Sequence, residues 1–133
     1  MQSNYTVKIK EYAERHFIKS FEKKYKQAWE VTLNSIVAEL ERIDNLLETD
    51  RADTVCHFEN IRIIKTEFRI ATTKESAKTS GNRSIVAINV DTKKVSVLLV
   101  YTKTDIDGSN ETSWWKNLVK DNYPEYKGII GKK

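Results

Sequence analysis

The chain has 133 residues, 39% of them hydrophobic and 32% charged, with four glycines and one proline. This is the composition of a globular domain with a single core, not of a disordered or fibrous chain. Its formal charge is +4, and the lone cysteine, Cys56, excludes an internal disulfide framework or a multi-cysteine metal site and fits a reducing compartment. No stretch approaches the roughly 18 apolar residues of a membrane span, and the N-terminal residues lack an apolar signal core, so a cytoplasmic protein is expected.

Tyr5, Val7 and Ile9 alternate with Thr6, Lys8 and Lys10, the period-2 pattern of a short half-buried strand at or near a sheet edge. From Glu11 the period changes. Phe17, Phe21 and Tyr25 recur every four residues and predict an amphipathic helix over about residues 11 to 26. After a brief break, Trp29, Leu33, Ile36, Val37, Leu40, Ile43 and Leu47 mark a second helix over about residues 28 to 48. The charged run 48 to 53 reads as a loop. Beyond it, Val55 to Ile70 forms one strand or two, with Glu59-Asn60 as the place for a turn. Residues 72 to 82, rich in Ser, Thr and Lys, predict an exposed loop. Ser84 to Val90 and Val95 to Tyr101 form a hairpin, and the unbroken apolar run Val97–Val100 predicts an inner strand covered on both faces. Asp107-Gly108 is a turn, and Ser109 or Asn110 can cap a final helix over about residues 111 to 122, docked through Leu118 with Trp114 or Trp115.

The expected architecture is a single α+β domain over residues 1 to 133. It is an antiparallel sheet of about four strands with two N-terminal helices packed on one face (β-α-α-β-β-β-α), the second face open. Charge is distributed unevenly over this frame. Between Lys65 and Lys103 there are eight Lys or Arg against three acids, whereas residues 28 to 64 carry three Arg against eight acids. A cationic sheet region of this kind suits a polyanion, and an open face could hold single-stranded RNA with its bases splayed out.

The segment Phe68 to Asp105 resembles the RelE/HigB-like (RelE/ParE superfamily) type II toxins. It has a strand with basic residues, the turn Ser80-Gly81-Asn82-Arg83, the strand SIVAINV, and the strand VSVLLVYTKTD ending in Tyr101-Thr102-Lys103-Thr104-Asp105. The resemblance implies a metal-independent endoribonuclease that cleaves mRNA, on the ribosome, and is silenced by a cognate antitoxin protein; it implies no cofactor. In such a reaction the ribose 2′-OH attacks the adjacent phosphorus, the 5′-oxygen leaves, and negative charge grows on the phosphoryl oxygens, where fixed cations stabilise it. Arg83, able to grip phosphate with a two-pronged fork, is the candidate clamp, with Arg69 positioning the backbone. The resemblance gives Lys103 the developing charge or the leaving oxygen. Lys65, Tyr101 and Trp114 are candidate RNA contacts. Ala71 stands where many relatives have a second strand lysine, so Lys74 or Lys78 would reach in instead. His16 and His57 have no spacing that brings them together, and they read as structural or solvated. The same architecture also hosts ParE-like gyrase inhibitors, and the same cations could serve a non-catalytic RNA-binding module.

Overall fold

A computed structural model describes residues 4–71, 73–74, 76–77, 79–108 and 110–130. Strand β1 (Thr6–Ile9) leads into a helical run made of α1 (Glu11–Ala13), a π-helical turn (Glu14–Ile18) and α2 (Lys19–Tyr25). Lys26, at φ 52° and ψ −119°, breaks the helix and starts α3 (Gln27–Glu41), which is followed by the short α4 (Ile43–Leu46). Four strands come next: β2 (Ala52–Phe58), β3 (Ile61–Phe68), β4 (Asn82–Asn89) and β5 (Lys94–Tyr101). The chain then runs into α5 (Glu111–Asn122) and a short 3-10 turn (Pro124–Tyr126).

The sheet has five strands in the order β1-β5-β4-β3-β2. β2 to β5 pair antiparallel, and β2 and β3 join at Glu59-Asn60 as expected. The strand beyond the expected four comes from the turn that divides β2 from β3, and β1 lies on the outer side of β5 and pairs with it in parallel, so the sheet is mixed. The reason is the two-helix connection, which carries the chain away from β1 and frees its direction from the hairpin rule that governs the other strands.

One face of the sheet is covered by the N-terminal helices. Ile18, Phe21, Trp29, Ile36, Leu40 and Ile43 pack on Ile64, Phe68, Val86, Ile88, Val97 and Val100. The expectation of an open second face is overturned: Trp115, Val119 and Tyr123, with Ile129 and Ile130, pack on Ile63, Ile85, Ala87, Leu98 and Leu99. Asn110 caps α5 by accepting from the Ser113 N–H, and the helix then presents Trp115 and Val119 as an apolar stripe that has to be buried. A bulge in β5 shifts the register with β4 and turns both Leu98 and Leu99 toward α5, while Val97 and Val100 face the other core. The unbroken apolar run therefore serves two cores at once.

If α5 closes a true second core, Trp115→Ala should lower unfolding free energy in urea by about 3–5 kcal/mol. A loss below about 1 kcal/mol would mean that this face contributes little to folding.

Candidate functional site

The site lies at the end of β3, β4 and β5 where β4 begins. Register places Glu67, Arg83 and Tyr101 side by side on three neighbouring strands, all on the face toward α5. The first residue of α5, Glu111, comes down on this row from above. Arg83 is only 12% exposed, and its guanidinium is engaged on three sides. Nη1 donates to the Asn82 carbonyl at 3.1 Å, Nη2 lies 3.2 Å from Glu67 Oε2, and Nε lies 3.9 Å from Glu111 Oε2. Tyr101 is fully buried and donates its hydroxyl to the same Glu111 oxygen at 2.7 Å, while Lys65 Nζ stands 4.0 Å from it.

Burial first, and then the Glu111 carboxylate that accepts its hydrogen bond, push the Tyr101 phenol far above its ordinary value, and the Arg83 charge only partly opposes them. Tyr101 is thus a fixed neutral donor. With no exposed ring, it offers no surface for base stacking. Trp114 does keep part of its ring accessible. It meets Tyr101 edge-on with centroids 4.9 Å apart and is backed by Phe17 at 6.2 Å.

Lys103 reaches the same corner by a different route. Gly81 sits at φ +80°, a left-handed conformation that lets the chain turn sharply into β4, and the Lys103 stem lies over it. A Cβ on Gly81 would stand 2.8 Å from Lys103 Cγ and 2.9 Å from Cδ. The Ser80 hydroxyl holds the turn, lying 2.6 Å from the Phe68 carbonyl and accepting from the Asn82 N–H at 3.1 Å. Lys103 opens a 3-10 turn whose capping box joins Thr102 and Asp105.

Arg69 does not join this group. Strand pairing ends at Phe68 opposite Asn82, and past that point nothing enforces the alternation of faces. Its guanidinium donates to the Thr73 carbonyl, and it lines a hollow of about 480 Å³ with Thr32, Ser35, Glu39 and Arg51 on the α3 side. Lys74 is exposed in the loop, and Lys78 lies outside the described residues. Lys93 and Lys94 belong to the turn at the far end of β5, where Lys93 sits over the Tyr5 ring. His16 packs on Tyr12, and His57 bonds to the Glu59 carbonyl. Among the described residues, no group of three His, Cys, Asp or Glu side chains could hold a metal ion, and no helix is long and apolar enough to cross a membrane.

Sequence reasoning missed the two carboxylates. Glu67 was legible in principle, because it alternates with Lys65 on one face of a strand; Glu111 was visible only as an acidic residue in a first helical turn. Together they offset the charge of Arg83 and Lys65, so the cationic surplus of this segment is not a bare patch at the site.

No family model matches the chain, and no curated protein matches it. Among solved structures it is similar to a chain of the archaeal RelE–RelB complex from Pyrococcus horikoshii OT3, at 13% identity and a TM-score of 0.45, over 77% of this chain and 99% of that one.

Two outcomes follow from the site's geometry. Gly81→Ala should cost about 1–2 kcal/mol in urea denaturation, through its left-handed backbone, and should displace Lys103. Tyr101 and Tyr123 both hold their protons above the ordinary value of 10.0. Unfolded tyrosines release theirs near that value, so stability is fully present below pH 10 and declines as pH rises beyond it. In an alkaline titration read by tyrosinate absorbance, fewer than the six tyrosines should ionise before the chain unfolds.

Proposed function

We propose that the chain is the toxin of a type II toxin–antitoxin pair and acts as a metal-independent endoribonuclease on mRNA. The observation that carries this reading is one end of the sheet at which Arg83 stands among Glu67, Glu111 and Tyr101 while the Lys103 stem lies across the Gly81 turn that opens the same strand. The sequence resemblance over Phe68 to Asp105 supports the same reading, as does the placement of two N-terminal helices on one face of the sheet.

In this reaction the phosphate takes the Nε side of Arg83, the side that Glu111 faces at 3.9 Å. In this reading Glu67 accepts the 2′-OH proton as the oxygen attacks phosphorus, and the Lys103 ammonium gives a proton to the departing 5′-oxygen, leaving a 2′,3′-cyclic phosphate. Trp114 offers its accessible edge to a neighbouring base. The setting is the cytoplasm, with the ribosome as the place where mRNA is presented and a cognate antitoxin as the silencing partner.

A second reading is a non-catalytic RNA-binding module, in which Arg83 stays paired with Glu67 and Glu111 and takes no part in chemistry.

The test is induced expression with sequencing of RNA 5′ ends, with and without ribosomes. New ends bearing 2′,3′-cyclic phosphate partners are expected with wild-type protein. Arg83→Ala and Lys103→Ala should each lower cleavage about 100-fold or more while the protein stays folded. RNA bound with a steep salt dependence but never cut would establish the second reading.

A further inference from the structure

We propose that Tyr101 Oη, Arg83 Nε and Lys65 Nζ form a phosphate-binding cradle, and that the Glu111 carboxylate occupies it as a built-in substitute for the ligand. One oxygen, Glu111 Oε2, is shared by all three donors, at 2.7, 3.9 and 4.0 Å respectively. Only the phenol makes a true hydrogen bond. Charge-assisted N–H···O bonds settle at about 2.7–2.9 Å, so both cations stand roughly an ångström too far for direct bonding. As placed, that oxygen bonds the phenol and makes no direct hydrogen bond to either cation. A phosphate, with several charged oxygens on a tetrahedral centre, can give one to each donor.

The surroundings are asymmetric in the way a replaceable anion requires. Glu67 is 13% exposed and bound to Arg83 Nη2 at 3.2 Å, so it is the more tightly held of the two carboxylates. Glu111 is 29% exposed, and so is Lys65, so solvent reaches the side from which a ligand would arrive. Tyr101 is fully buried, and its only hydroxyl points to this oxygen, which fixes one donor in place whichever anion is present. The high proton affinity of that phenol keeps it a donor to phosphate as well.

The cradle rests on the proposed reading only for the identity of its ligand as an RNA phosphodiester; its existence is testable with inorganic phosphate alone. At rest the corner is self-neutralised, and a phosphodiester has to displace Glu111 before Arg83 and Lys65 can bind it. Glu111 then sets the threshold of engagement.

The full chain would be titrated with inorganic phosphate while the Arg83 Nε–H signal is followed by NMR. Glu111→Gln keeps an acceptor for Tyr101 and removes the competing charge, and it should bind phosphate at least about tenfold tighter, with the shift centred on Arg83 and Lys65. Glu48→Gln, an equal charge change on an exposed residue of the α4 side, controls for net charge and should shift affinity less than twofold. Tyr101→Phe should weaken phosphate binding in either background, which keeps the test decisive should Glu111→Gln unfold. Unchanged or weaker affinity in a folded Glu111→Gln protein, or a phosphate response away from Arg83, overturns the cradle. A protein that binds phosphate here but cuts no RNA keeps the cradle and removes the ribonuclease reading. One that cuts RNA with a phosphate affinity indifferent to Glu111 does the reverse.

Discussion

A guanidinium held at 12% exposure on the middle strand of the sheet has to be compensated from its neighbours, and that requirement organises the whole end of the molecule. A buried charge left unpaired costs several kcal/mol, far more than any single surface contact supplies. Arg83 meets the demand with a carboxylate from β3, a backbone carbonyl of its own strand and a second carboxylate from α5. The first turn of the last helix is thereby tied to the row Glu67–Arg83–Tyr101 by charge and by the Tyr101 hydrogen bond, while its body is held by burial of Trp115 and Val119.

This coupling places structure and candidate chemistry on one element. The helix that closes the second core also delivers Glu111 to the cations and sets Trp114 against Tyr101. Because the pairing groups are fixed by strand register and by a capped helix, the donors are pre-organised and need little rearrangement to meet an anion. Lys103 is the exposed member of the set. Its stem is steered across Gly81, where the absence of a Cβ makes room for it, and its ammonium end extends from an exposed turn.

Electrostatics read along the chain and electrostatics read in space differ here for a definite reason. Counting Lys and Arg from Lys65 to Lys103 gives a strong surplus, yet the acids that matter most at the corner are one inside that segment and one eight residues beyond it. Lys93 and Lys94 sit at the opposite end of the strands, and Arg69 bends toward the α3 side. What remains at the corner is a group of two cations, Arg83 and Lys65, facing two carboxylates, Glu67 and Glu111.

The period-2 and helical patterns were enough to establish the α+β class, the break near Lys26, the turn at Glu59-Asn60, the closing hairpin and the final helix, because each depends on local alternation and turn chemistry. The apolar run Val97–Val100 likewise announced an inner strand, and Ser80-Gly81 with Arg83 announced a tight turn opening another. Tertiary structure alone decided the parallel seat of β1, the closing of the second face and the company that Arg83 keeps. These depend on contacts between residues 16 to 88 positions apart, such as Arg83 with Glu67, Arg83 with Glu111, and Thr6 opposite Lys94. One-dimensional spacing records which face of an element is apolar, but not which distant side chain that face will meet.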